Sequence, residues 1–192
     1  MDITKLRTRP LKSSFLSCEK DTEEIIKRLF VSSQPYSDQL KRLLMITTKD
    51  CLDESNNNYS EIVKNTSIKE LIEGNYINLI PVINRTEHEE EKAYIILSFD
   101  NFISTTNPEF RDHLISFDII CHHSSWMLDN YQQRAMKIAG IIDGLLNDTK
   151  FSGIGTLQFF SLNRLPIDHT VSGYTLSFRA TNGSDDSILG DE

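Results

Sequence analysis

The chain has 192 residues, enough for one domain with an elaboration. Its formal net charge of -8 and pI of about 5.1 exclude a general nucleic-acid binder, which needs clustered Lys and Arg to neutralise phosphate. No apolar run approaches membrane-spanning length. The three cysteines, Cys18, Cys51 and Cys121, form no CxxC pair, and an odd count without a secretory leader points to free thiols in a reducing compartment.

Residues 1–20 read as an extended, polar and basic arm without the apolar stretch of a signal peptide. Asp21 and Glu24 have the spacing of a capping box, and Ile25, Ile26, Leu29 and Phe30 follow at helical intervals. Pro35 ends that helix, and Ser37 is placed to cap a second one carrying Leu40, Leu43 and Leu44. The stretch DESNNNYSE is polar and Asn-rich, so it reads as a loop. Ser67 caps one short helical turn that ends at Gly74.

The period then changes. NYINLIPVINR and KAYIILSFDNF are rich in β-branched and aromatic residues and flank TEHEEE, the pattern of a β-hairpin with an acidic tip. Pro81 places the first of these strands at an edge or on a bulge. A third strand over 111–122 alternates Ile115, Phe117, Ile119 and Cys121 against Ser116, Asp118, Ile120 and His122. A long helix is expected from about Ser125, with Tyr131, Ala135, Ile138, Ile142 and Leu145 as its apolar stripe. Two further strands follow, GTLQFFSLN and VSGYTLSFRAT; in the second, Tyr174, Leu176, Phe178 and Ala180 share one face. Phe99, Phe102, Phe117, Phe159, Phe160, Tyr174 and Phe178 are core candidates.

This order predicts an α+β fold: a mostly antiparallel sheet packed by one long helix, with an N-terminal helical extension. The chain divides into an arm and helices at 1–74, an α+β core at 75–181, and a flexible acidic tail at 182–192.

Cys121, His122 and His123 are the one cluster with metal-binding or nucleophilic chemistry. Adjacent strand residues point to opposite faces, so the three do not converge on one ion without a bend, and no second CxxC or HxxxH completes a zinc set. Cys121 instead continues the apolar face from Ile115, as a small buried residue. A Cys121 nucleophile with a His base would also need an orienting acid and an oxyanion hole, neither of which has a recognisable form. Gly153-x-Gly155 precedes a strand rather than a helix, which is not the context of a phosphate loop. Glu87 to Glu91 lack the Gly and alternating Asp of a calcium loop. No metal or cofactor motif is present, and no catalytic residue is assigned.

Contact surfaces are the remaining candidates. Gly140 and Gly144 lie four apart on the supposedly exposed helix face, where each costs about 1 kcal/mol relative to Ala. Either a neighbouring subunit or the N-terminal helices approach that backbone closely, or the two glycines are simply tolerated there. Trp126, at the strand-to-helix junction, is either a core residue or an interface anchor. Glu89, Glu90 and Glu91 form either a solvated hairpin tip or a charged finger that meets a partner.

LISFDIICHH, SSWMLDNYQQRAMKIAGIIDGLL, GIGTLQFFSLN and GYTLSFRAT together resemble the tail-terminator, or tail-completion, proteins of tailed bacteriophages. The likeness covers about residues 76–181 and rests on the strand Ile115–Ile120, on Arg134, on the run Ile138–Leu145, and on the order strand, helix, strand, strand. The N-terminal helices and the Asn-rich loop depart from the shortest members.

The resemblance implies a non-enzymatic virion protein that assembles in the host cytoplasm. It implies a homo-oligomeric ring, commonly a hexamer, capping the tail tube protein in the phage neck and joining it to a head-completion or connector protein. DNA would pass through without specific binding, no membrane is involved, and the acidic composition suits a lumen along which DNA slides. Three other classes fit less closely: another head–tail connector such as an adaptor or stopper, a Cys/His-dependent enzyme, and an unrelated interaction module of the same α+β class.

Overall fold

A computed structural model describes residues 18–79, 91–106, 110–151 and 155–183. The elements in chain order are α1 (Cys18–Phe30), α2 (Tyr36–Met45), α3 (Asn57–Asn65), α4 (Ile68–Glu73), β1 (Ile77–Asn78), β2 (Ala93–Ser104), β3 (Phe110–His122), α5 (Arg134–Leu146), β4 (Lys150–Phe151), β5 (Gly155–Thr156), β6 (Gln158–Pro166) and β7 (Val171–Gly183). Five strands form one sheet in the order β1-β2-β3-β7-β6, and β4 pairs with β5 separately. The fold is α+β, as the alternation of helical and strand periods requires.

The sheet is antiparallel except at β1, where Ile77 and Asn78 run parallel to Ile95 and Ile96 of β2. A hairpin pairs its strands antiparallel, so Ile77 and Asn78 are not paired with β2 in the way expected of a β-hairpin. Pro81, Glu89 and Glu90 fall between them, outside the described residues.

Register in the sheet centre follows the apolar alternation. Ile115, Phe117 and Ile119 of β3 face Phe99, Leu97 and Ile95 of β2 on one side, and Phe178, Leu176 and Tyr174 of β7 on the other. These side chains and Cys121 point toward the helices, where slipping by one residue would expose the whole set. The opposite face buries a smaller cluster of Tyr94, Ile96, Ile120 and Val171.

Helices cover the main face: α5 lies on β3 and β7, α2 on β2 and α5, and α1 on α2 and α5. Ile138, Ile142 and Leu145 of α5 are buried with Leu40, Leu43 and Leu44 of α2 and Ile25, Leu29 and Phe30 of α1. Each such side chain contributes about 1.5–3 kcal/mol by leaving water. At 13 residues α5 is no longer than α1, so the expected single long helix is instead one of these helices.

Local chemistry corrects other sequence expectations. α1 already runs from Cys18, which puts Asp21 inside its first turn and fully buried rather than at a cap. Pro35 holds the N-cap position of α2, and Ser37 lies within the helix, its Oγ accepting from the Ser33 N–H at 3.3 Å. The Asn-rich loop contains α3, capped by Asn56, whose side chain accepts from the Asn58 N–H. Tertiary clamps from α2 frame this segment: Lys41 Nζ donates to Thr66 O at 3.0 Å, while Arg42 donates to Asp53 O and Ser60 Oγ, each at 2.8 Å. The turn after Ser67 forms as expected, with a complete Ser67–Glu70 capping box and Gly74 at its end.

Helix α5 begins at Arg134, not near Ser125. Residues 123–133 form two 3-10 turns closed by a Met127–Gln133 bridge. Tyr131 stands at φ 60, a left-handed conformation that cannot continue a right-handed helix, and it is 93% exposed instead of heading the apolar stripe. GTLQFFSLN is likewise broken at the buried Leu157, and a β-bulge between Phe159 and Ser161 leaves Phe159 and Phe160 about half exposed rather than in the core.

Candidate functional site

The end of β3 and the turn that follows it deliver Cys121, His122 and His123 to three different surroundings. Cys121 is fully buried in the main core, where burial pushes its thiol up to about 12 against the opposing influence of the Arg134 charge. The His122 ring bonds Ser124 Oγ at 2.7 Å through Nδ1, and the His123 ring bonds Ser172 Oγ at 2.9 Å through Nε2. His123 also meets Trp126 edge-on. The buried thiol and the two imidazoles therefore do not converge. Among the described residues, no group of three His, Cys, Asp or Glu side chains is arranged to hold a metal ion.

Arg134, a position of the family resemblance, is the most heavily bonded side chain of the junction. It is 1% exposed. Nε donates to Ser125 O at 2.7 Å, Nη1 to Leu43 O and Ile46 O at 2.7 Å each, and Nη2 to Thr47 O at 3.0 Å and Thr48 O at 2.7 Å. All five guanidinium N–H groups are thus spent on backbone carbonyls, which locks the C-terminus of α2 to the start of α5. The cation also suits the negative end of the α2 dipole. No position is left for substrate.

The face of the sheet away from the helices is polar along its centre. Ser116 and Ser177 share a hydrogen bond at 3.0 Å, and Thr175 Oγ1 donates to Asp118 at 2.6 Å. Burial raises the Asp118 carboxyl; the Thr175 bond opposes this and the Asp100 charge adds to it. These pairs follow the ladder register and tie β3 to β7.

The exposed face of α5 carries a recess of about 400 Å³ that opens over Gly140 and Gly144, with Tyr36, Met136, Ile141 and Leu145 as its walls. A Cβ added at either glycine would meet nothing within 4 Å, so no described part of the chain occupies the space that the two glycines leave. Gln39 and Lys137 supply its polar groups. Trp126 is half buried, tilted against Tyr174 at 6.2 Å and packed on the core. Glu91 is exposed, and Glu89 and Glu90 lie outside the described residues.

These features define an α+β scaffold in which Cys121 is buried in the core and Arg134 is bonded throughout to backbone carbonyls. Residues 37–180 match the YomW family model, and the chain belongs to the YomW family, a phage-derived protein family. No curated protein matches it. Among solved structures, it is similar to a chain from the virion of a native gene transfer agent (GTA) particle. That likeness has 13% identity and a TM-score of 0.38, over 65% of this chain and 90% of the other.

Proposed function

We propose that the chain is a structural virion protein of the phage neck: one subunit of a hexameric ring that caps the tail tube and joins it to a head-completion or connector protein. Membership of a phage-derived family is the observation that carries this reading. Placement of the motifs supports it further. The strand Ile115–Ile120, Arg134 and the run Ile138–Leu145 stand in strand–helix–strand–strand order, with Arg134 fastening the helix start.

Such a ring works by shape and charge. Each subunit offers surfaces to its neighbours, cyclic contacts close the assembly, and the net charge of -8 disfavours adhesion of DNA inside it. We assign the contacts to the α5 face at Gly140 and Gly144, to the half-buried Trp126, and to the acidic segment containing Glu89, Glu90 and Glu91.

Negative-stain electron microscopy and mass measurement of the purified protein, alone and with tail tubes, test the proposal. Sixfold rings, free or at tube ends, are expected. A protein that stays monomeric under both conditions overturns it, and a twelvefold ring in direct contact with the portal would place the chain among the adaptors.

A further inference from the structure

The ring reading leaves open which surfaces meet, and two features of this chain fit each other. The first is a knob. Tyr131 stands fully out in solvent on a backbone that L-residues rarely adopt. Its loop is pinned on both sides: Leu128 N–H donates to Gln132 O at 2.8 Å, Asp129 N–H to Lys49 O at 3.1 Å, and Arg134 N–H to Trp126 O at 2.8 Å. The backbone that carries the ring is thus held in place before any contact forms, which removes part of the loop-ordering cost of binding.

The second feature is the recess over Gly140 and Gly144. Its volume of about 400 Å³ accommodates a phenol ring, and its walls are largely apolar. Charge agrees with shape. Asp129 is an exposed acid beside the knob, and Lys137 is the cation lining the recess. Among the described residues, neither is ion-paired. Knob and recess are separate features of one chain: Tyr131 precedes α5 and is not among the residues that line the recess along it. Such a pair repeats head to tail, which is the contact type that closes a ring.

We propose that Tyr131 of one subunit seats in the recess over Gly140 and Gly144 of the next copy of this chain, with Asp129 meeting Lys137 of that copy at its rim. This rests on the ring reading and names the contact that builds the ring. Tyrosines in pockets are frequent hot spots of interfaces.

Substitutions on both sides of the contact, made in the whole chain, test it. Tyr131→Asn removes the ring but suits the left-handed backbone, and Gly144→Trp fills the recess from a position with open space above it. Sedimentation velocity and native mass spectrometry should find each variant's self-association weakened at least ~30-fold relative to wild type. An equimolar mixture should form a one-to-one dimer, because one variant keeps only the recess and the other only the knob. Asp129→Lys and Lys137→Asp should each weaken assembly and restore it when combined. If the single variants assemble like wild type, or the mixture yields no dimer, the contact lies elsewhere and the ring reading stands. A wild-type chain that never self-associates, even on tube ends, sinks both.

Discussion

Arg134 Nη1 lies 2.7 Å from the carbonyl oxygen of Leu43, 91 residues earlier in the chain. That bond and its four companions make one side chain the fastener between α2, the loop after it, and the strand-to-helix junction. Lysine offers three donors in place of five and lacks the planar fork, so Arg134→Lys leaves carbonyls unpaired. Each orphaned buried group costs about 1–3 kcal/mol. Arg134→Lys is expected to lower stability by at least ~2 kcal/mol and Arg134→Ala by at least ~3 kcal/mol, read as a shift of the urea midpoint at constant m. Unchanged midpoints would remove Arg134 from this role.

Gly173 makes a comparable demand with no side chain at all. A Cβ there would stand 2.0 Å from the Ile119 carbonyl oxygen and 2.9 Å from its carbon. Both are backbone atoms of β3, so neither moves without opening the β3–β7 ladder, in which Gly173 is opposite Ile120. Gly173→Ala is expected to cost about 2–3 kcal/mol, toward the upper end for overpacking. Faster amide exchange near Ile119 and Ile120 should accompany the loss, whereas Gly140→Ala, in open space on α5, should be neutral or stabilising by up to about 1 kcal/mol.

Legibility in the sequence followed the physics of each element. The alternation in β3 and β7 was readable because one face of each is committed to the core, and α5 from Ala135 onward because its stripe is buried by the same core. Segment α3 was not, because only Val63 of it is buried and Lys41 and Arg42 frame it from elsewhere in the chain. Tyr131 sits four residues before Ala135 and so matched the helical period, although its backbone turns left-handed and sends the ring outward. The parallel pairing of β1 was not legible because only two residues, Ile77 and Asn78, make it, too few to show a period. Of the site, the glycine pair was visible as a local anomaly and Arg134 as a position of the family resemblance, whereas the outward turn of Tyr131 and the carbonyls that Arg134 gathers depend on tertiary geometry.

His113 lies on the core face of β3 and is 1% exposed, stacked on Phe102 at 4.9 Å and Phe99 at 5.9 Å. An irregularity in β2 between Asp100 and Ile103, where Asn101 takes φ 53, brings both phenyl rings to it. Burial pushes its pKa from 6.5 down to about 4. The unfolded chain therefore binds a proton below 6.5 that the native chain refuses until about 4, and native stability falls as pH drops through that window. The loss reaches on the order of 2 kcal/mol at a pH of about 4.5. His113→Phe keeps the stack and removes the titration. Urea unfolding of both proteins at neutral pH and near pH 4.5 isolates the effect, since the carboxylates are common to both, and equal acid losses would refute it.

Cys121 separates a framework protein from a thiol enzyme most directly. A nucleophilic cysteine is partly exposed and has a lowered pKa, so it reacts quickly with disulfide reagents near neutral pH. Here the thiol is 0% exposed and pushed up to about 12, and Cys51 beside the same guanidinium is also buried with a raised pKa. Neither thiol should label with an aromatic disulfide reagent until the chain unfolds, and Cys18, half buried with its pKa near 11, should label slowly. Cys121→Ala should cost about 1–2 kcal/mol through the small cavity, and Cys121→Ser somewhat more, because a hydroxyl enters an apolar site without a partner. Particles carrying Cys121→Ala together with His122→Ala should then assemble as wild type does at permissive temperature. Rapid labelling of Cys121 in the native protein, or a loss of assembly without a loss of stability, would show that the residue does chemistry and not packing.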